Sequence, residues 1–446
     1  MAQAGLGLRN PVGTRPASAR GAGRAFGLAA AAFGIALAAY VADVAAHPLG
    51  LTLDWFDLNI YNHAGLIIRH APATLYTWHY RPGVQYLYTP FAALGFAAGS
   101  LLPWAVLKWL MTVVSMAAMV LTVWVTFGQL GWRGQRRGAA VLAVSAVALW
   151  TEPVLRSLQV GQIELVLMAL IAWDMCQPDH RWWKGAGVGV AAGIKLVPLI
   201  FILYLILAGR LRQAAVATAA FACTVVIGFA VLPGESAKWW LTGYFLHAGD
   251  FTKESLGSKL NQSLLALITR TPAGAGSVTA LWLSAAVVAG CLGLAAAALL
   301  ARSGRPTAGW VTCAVTGVLV SPISWDNHWV WIVPVLALLA DAAVRARGAA
   351  RAGYLVLAAA LAALFADWPT NWTGRWALVP RGLVGFDVGR HPMGEIFHLH
   401  GAQLIGWNMY VLGGLLIFAG LLAAAAVAWR SSRGGYLIRR PISSVP

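Results

Sequence analysis

Apolar residues in this chain gather into runs rather than alternating with polar ones. The runs lie at about 26–46, 104–128, 139–151, 160–176, 184–196, 197–208, 213–232, 278–302, 308–322, 328–343, 352–366 and 404–429. A helix needs about 20 such residues to cross the hydrocarbon core of a bilayer. The longer runs therefore predict spans as they stand, and the shorter ones cross only if tilted, extended or packed inside protein. Residues 86–102 form a further run, opened by Tyr86-Leu87-Tyr88-Thr89-Pro90 and followed by Pro103-Trp104. Proline suits the first turn of a helix, and about 15 residues are short for a span but long enough to lie in the interface. Just before it, Asp57, Tyr61 and Ala64 fall at i, i+4 and i+7 and share one helical face. Two short helices lying on the membrane are expected here.

Composition names the class. Of 446 residues, 59% are hydrophobic and 11% are charged, against about 25% charged in soluble chains. This is a polytopic membrane protein. Cys176, Cys223, Cys291 and Cys313 lie in or at the ends of apolar runs, without zinc spacing or a disulfide framework. The Arg-rich N-terminal segment reads as the positive flank of a first span rather than a cleavable signal.

Charge then sets the span count. With residues 86–102 interfacial there are twelve spans and both termini are cytoplasmic. The cytoplasmic segments then hold 20 of the Lys and Arg residues against three acids, Asp174, Asp179 and Asp341, so they carry the whole +17 of the chain. That matches the positive-inside rule. A thirteenth span would put Arg133, Arg136 and Arg137 outside. The excess charge is therefore topological and implies no nucleic acid. The expected division is a basic N-terminus (1–25), one transmembrane domain (26–429) and a cytoplasmic tail (430–446). Outer loops fall at about 47–103, 233–277, 323–328 and 367–403.

Ionisable groups in or beside spans are costly and default to functional hypotheses. Lys195, in Gly193-Ile194-Lys195-Leu196-Val197-Pro198, is a snorkelling lysine or a cation for a lipid phosphate. In Glu152-Pro153-Val154-Leu155-Arg156, the acid and Arg156 could simply pair at i, i+4. Gln162 and Glu164 run into the next apolar stretch and need partners there. Asn261-Gln262-Ser263-Leu264 opens a short helix, with capping as the plain reading. Ser321-Pro322-Ile323-Ser324-Trp325-Asp326-Asn327-His328 sets an acid and a histidine between two spans. All these breaks fall on the outer side. Cations for an anion, with Asp57 as a carboxylate for a proton, point to chemistry on a lipid-linked phosphate. Asp54 reads as a helix-start residue. No metal spacing is evident, and neither a metal nor another cofactor is expected.

On these residues the chain resembles the actinobacterial polyprenol-phosphate-mannose-dependent α-(1→2)-mannosyltransferases of glycosyltransferase family 87, which have the C-type (GT-C) membrane fold. The motifs are Phe56-Asp57-Leu58-Asn59-Ile60-Tyr61, Tyr88-Thr89-Pro90-Phe91, Gly161-Gln162-Ile163-Glu164, Gly193 to Pro198, Asn261-Gln262-Ser263-Leu264 and Leu319 through Trp331, in family order. Two departures stand out. Asn327-His328 replaces the family's frequent His-His, so only His328 is carried over, and Glu164 stands where members often have Asn. The loop 367–403, with His391, His398 and His400, has no matched motif.

The resemblance implies inverting transfer of mannose from β-mannosyl-phosphoryl-polyprenol to a mannolipid hydroxyl on the periplasmic face. The acceptor would be a phosphatidyl-myo-inositol mannoside or lipomannan. It implies Asp57 as general base, with Lys195, Arg156 and His328 at the donor phosphate. It implies Tyr61, Tyr88, Gln162, Asn261, Gln262 and Trp325 at the sugars, and no nucleotide-sugar domain. An arabinofuranosyltransferase using polyprenyl-phosphoarabinose is the near alternative. A lipid-linked-sugar transporter is the further one, and it would more naturally carry internal repeats.

Overall fold

The computed structural model describes residues 19–46, 53–81, 84–247, 256–271, 277–367, 399 and 401–437. Arg9, Arg15, the end of the C-terminal tail, and His391, His398 and His400 lie outside the described residues. Among those described, regular structure is helical apart from a two-stranded antiparallel hairpin. In chain order the helices are α1 (Ala19–Ala46), α2 (Phe56–His70), α3 (Pro90–Gly99), α4 (Trp104–Gln129), α5 (Gly134–Leu149), α6 (Glu152–Val160) and α7 (Glu164–Met175). Next come α8 (Ala186–Ile194), α9 (Ile200–Leu207), α10 (Leu211–Val231), α11 (Pro233–Leu241), α12 (Tyr244–His247), α13 (Leu264–Thr269) and α14 (Val278–Arg302). The last are α15 (Pro306–Val320), α16 (Ile332–Arg345), α17 (Gly348–Phe365), α18 (Gly401–Trp407) and α19 (Met409–Leu437). The hairpin pairs β1 (His79–Arg81) with β2 (Val84–Gln85), His79 opposite Gln85.

Among the described residues, seven helical segments are long and apolar enough to cross a membrane: Gly21–Ala46, Trp104–Gln129, Leu211–Val231, Val278–Arg302, Asp326–Arg345, Gly348–Phe365 and Met409–Ser431. The pair α6 and α7, bent by 119°, makes an eighth if it counts as one broken span. The chain is an all-α polytopic membrane protein. Helix length alone thus supports fewer crossings than the twelve apolar runs. The other runs became short helices: α5 has 16 residues, α8 nine, α9 eight and α15 15. At 1.5 Å per residue, a helix of α15's length reaches about 23 Å, short of the ~30 Å hydrocarbon thickness. Every residue of α15 from Gly309 to Leu319 is buried, so protein rather than lipid surrounds it. Long apolar side chains on α4 and α14, such as Trp109, Val113, Val287 and Val288, are instead exposed, as lipid-facing positions require.

Two close approaches hold the site's scaffold. Helices α2 and α3 touch at Gly65, where a side chain would collide with the Phe96 carbonyl. The Gly187-Val188-Gly189 segment likewise packs backbone to backbone, Gly189 lying against Ala217 of α10. The second predicted interfacial helix is shorter than its run: α3 has ten residues, with the Thr89 hydroxyl accepting from Ala92 N–H at its start and Pro90 in its first turn.

Candidate active site

The start of α2 is held in an unusual backbone conformation. Trp55 has φ +53°, the left-handed region that non-glycine residues seldom occupy. Its N–H donates to the Gln159 carbonyl at 3.0 Å, and its indole is buried edge-on to Trp109. Strain of this kind persists only where the surroundings over-determine it. Asp54 serves as the helix-start residue, accepting from Phe56 N–H at 3.1 Å. Across from it, Gly161 ends α6 at φ +69°, with Leu58 Cβ 2.6 Å from where a side chain would begin. That left-handed turn lets the chain double back and brings Gln162 beneath α2.

Gln162 is the hub. Its Oε1 accepts from Ile163 N–H at 3.0 Å, from Tyr88 Oη at 2.8 Å and from Tyr61 Oη; the two phenol oxygens are 2.7 Å apart. The backbone donor fixes which end of the amide is oxygen, so Nε2 is the end that faces Asp57 and donates to Oδ2 at 3.1 Å. Tyr61 is 2% exposed and stacks on Phe96. Burial pushes the Asp57 carboxyl up from its ordinary 3.8 to about 7; Arg156 and Lys195 pull the other way, while Asp54 and Asp326 add to the rise. A carboxylate at that value is matched to proton transfer near neutrality.

The second cluster joins α7, the end of α8 and a 3-10 turn, Asp326–Trp331. Lys195 Nζ is ion-paired with Glu164 and lies 3.0 Å from His328 Nε2, which is 3.4 Å from Glu164 Oε1. An ammonium has only donors, so His328 Nε2 accepts and the ring is neutral. Lys195 also sits 5.7 Å from the centre of the Tyr88 ring, linking this cluster to the first. The three side chains line a narrow cleft whose other walls include Leu167, Ile171, Val197, Phe201, Val318 and Trp331.

Other expected residues stand elsewhere. Arg156 does not pair with Glu152. Pro153 fits the first turn of α6, and Arg156 donates to Gln159 Oε1 at 2.8 Å with Asp54 4.0 Å away, while Glu152 turns in toward Asp326 and Tyr410. Asn261 and Gln262, expected to hold sugar hydroxyls, are fully buried and bonded to backbone instead. Asn261 Oδ1 accepts from Ser324 N–H, and its Nδ2 donates to the Leu256 and Pro322 carbonyls. Gln262 donates to the Lys259 and Trp407 carbonyls and accepts from Tyr410 and Val411. These amides tie the turn before α13 to the strip that carries His328, and Ser263 caps α13. Trp325, half-buried, pairs its backbone with Asn261. Two residues escaped the sequence-derived site. Glu164 was visible only as a buried acid in need of partners. Arg270, fully buried and bonded to the carbonyls of Gly257, Ser258, Asn261 and Trp407, caps the C-terminal end of the short helix α13. Among the described residues no group of three or more His, Cys, Asp or Glu side chains is arranged to hold a metal ion.

The chain matches the model of glycosyltransferase family 87 over residues 86–322, a range that leaves Asp57 and His328 on either side of it. It is 33% identical over 313 residues to a polyprenol-phosphate-mannose-dependent alpha-(1-2)-phosphatidylinositol pentamannoside mannosyltransferase of Mycobacterium tuberculosis, covering 68% of this chain and 71% of that one. A protein described in the same words from Mycolicibacterium smegmatis is 32% identical over 351 residues, covering 74% and 82%. A second M. tuberculosis relative, a polyprenol-phosphate-mannose-dependent alpha-(1-2)-phosphatidylinositol mannoside mannosyltransferase, is 29% identical over 296 residues, covering 65% and 68%. No solved structure matches. With the family model spanning more than half of its residues, and a relative one third identical over most of both lengths, this chain belongs to glycosyltransferase family 87 and is a membrane glycosyltransferase.

Proposed function

We propose that the protein transfers mannose from polyprenyl-phosphate-mannose to a hydroxyl of a mannolipid acceptor, a phosphatidyl-myo-inositol mannoside or lipomannan, making an α-(1→2) linkage on the periplasmic face. The activities of its relatives support the donor and acceptor classes. The observation that carries the mechanism is Asp57, held by Gln162 and tuned to about 7, beside a cationic group at the head of an apolar cleft.

Inversion takes one displacement. The acceptor oxygen attacks the anomeric carbon, the bond from that carbon to the phosphate oxygen breaks, and Asp57 takes the hydroxyl proton. The leaving group is a lipid phosphate that gains negative charge, so it needs a cation more than an acid. Lys195 supplies it, His328 accepts from Lys195 and holds it in place, and Arg156 stands near Asp54. The apolar walls suit a polyprenyl chain. Tyr61 and Tyr88 set Gln162 and through it Asp57, with Trp325 left as a stacking surface for sugar. Asn261 and Gln262 belong to the scaffold in this reading. The chain adopts the C-type fold, with twelve crossings, cytoplasmic termini, and α2 and α3 lying on the outer surface.

The test uses membranes containing the protein, labelled polyprenyl-phosphate-mannose and candidate mannolipids. Appearance of an α-(1→2)-linked mannose on the acceptor is expected. A labelled pentose donor working where mannose fails would transfer the reading to an arabinofuranosyltransferase. Movement of the donor across the bilayer without transfer would make the protein a transporter.

A further inference from the structure

Glu164 is out of place in a pocket built only to hold an anion. Its carboxylate is paired with the Lys195 ammonium and lies 3.4 Å from His328 Nε2, and all three side chains line one cleft. They are well sheltered, with Glu164 and His328 each 12% exposed and Lys195 20%. An ammonium paired with a carboxylate is electrically balanced, and the imidazole beside the pair accepts from Lys195. Arg156 donates to Gln159 and stands 4.0 Å from the more exposed Asp54.

We propose that Glu164 is a displaceable counter-ion that competes with the lipid phosphate for Lys195 and thereby drives release of the spent lipid. The role rests on the donor assignment made above. Charge sets its direction. The donor is a phosphodiester with a single negative charge. On transfer the bond from the sugar to the phosphate oxygen breaks and its electron pair stays on that oxygen. The product is then a phosphate monoester, whose second ionisation near pH 6 brings it close to two negative charges at neutrality. A carboxylate already bonded to the ammonium repels two charges more than one, more so in a sheltered cleft than in water. Lys195 alone would hold the product more firmly than the donor, and turnover would be limited by release. As a positioning residue, Glu164 also keeps Lys195 and His328 aimed at the cleft while it is empty.

Glu164→Gln keeps the volume and an oxygen acceptor for Lys195 and removes the charge. Full-length protein in nanodiscs is titrated with farnesyl monophosphate, a short stand-in for the product, and with a farnesyl phosphodiester standing in for the donor. Wild type is expected to bind the diester more tightly than the monoester. Glu164→Gln should bind the monoester at least about tenfold more tightly than wild type, ~1.4 kcal/mol, and kcat and donor KM should fall together. Glu164→Asp should return both to near wild type. Unchanged or weaker monoester binding in Glu164→Gln overturns the proposal, and so does a wild-type preference for the monoester, which needs no variant to fold. Wild-type protein that shows the expected probe affinities yet transfers no mannose removes the donor assignment and leaves the counter-ion. Mannose transfer with unaltered affinities in Glu164→Gln does the reverse.

Discussion

Replacing Asp57 by Asn separates the energetic cost of the base from its chemistry. In the folded chain, burial lifts this carboxyl from 3.8 to about 7, worth about 4 kcal/mol at ~1.4 kcal/mol per pKa unit. The residue is not wholly sealed from solvent, and water reaching it reduces that to about 2–4 kcal/mol. The sign follows from linkage. A folded-state value above the unfolded one favours the fold fully below about pH 4, and that stability is lost as pH rises through about 7. Asn cannot ionise, keeps the volume, and retains an oxygen to accept from Gln162. Asp57→Asn should therefore become progressively more stable than wild type between pH 5 and 8.5, by about 2–3 kcal/mol. For a chain of 446 residues that is about 2–3 °C in Tm. Thermal unfolding of detergent-solubilised protein at several pH values measures it. A gap that stays flat or closes with rising pH would refute the burial argument.

Other consequences follow from the same geometry. Because Asp57 must be ionised to accept a proton, kcat/KM should rise with pH through about 7, and an acid limb near 4 in the pH–rate profile would deny it that state. Gln162→Glu sets a second carboxylate against Asp57 and should move that limb up by about one unit or more, read from the same profile. Lys195→Met strands the Glu164 carboxylate in a sheltered site and should cost about 3–5 kcal/mol of stability. Adding Glu164→Gln should recover most of it, which a double-mutant cycle measures; simple additivity would contradict the ion pair's role. A cysteine at Gly95, where there is room for a side chain, should react with an impermeant reagent from outside only, and labelling of Arg136→Cys from outside would sink the twelve-span topology.

Local features of this site could be read from the chain, whereas long-range ones could not. Helix α2 follows from the spacing of Asp57, Tyr61 and Ala64, and α3 from Thr89-Pro90 at its start, because both are set by neighbours in sequence. The apolar runs located the helices but not how many cross, since burial inside protein lets helices form that are shorter than the hydrocarbon is thick, such as the 15-residue α15. The pairing of Glu164 with Lys195 spans 31 residues and that of Lys195 with His328 spans 133. No local pattern records either. Asn261 and Gln262 looked like ligand-binding amides because a polar side chain in an apolar chain needs partners. Those partners proved to be backbone groups brought in from Ser324, Trp407 and Tyr410. The left-handed Trp55 has no sequence signal, since glycine is the residue that usually marks such a conformation.

In the proposed mechanism Asp57 takes the proton of a mannolipid hydroxyl. Its most direct test is the initial rate of labelled mannose transfer from polyprenyl-phosphate-mannose in membranes holding equal amounts of wild type and Asp57→Asn. Wild type should form the α-(1→2) product, while Asp57→Asn should retain donor binding and fall by at least about a hundredfold. Transfer by Asp57→Asn at the wild-type rate would exclude Asp57 as the base.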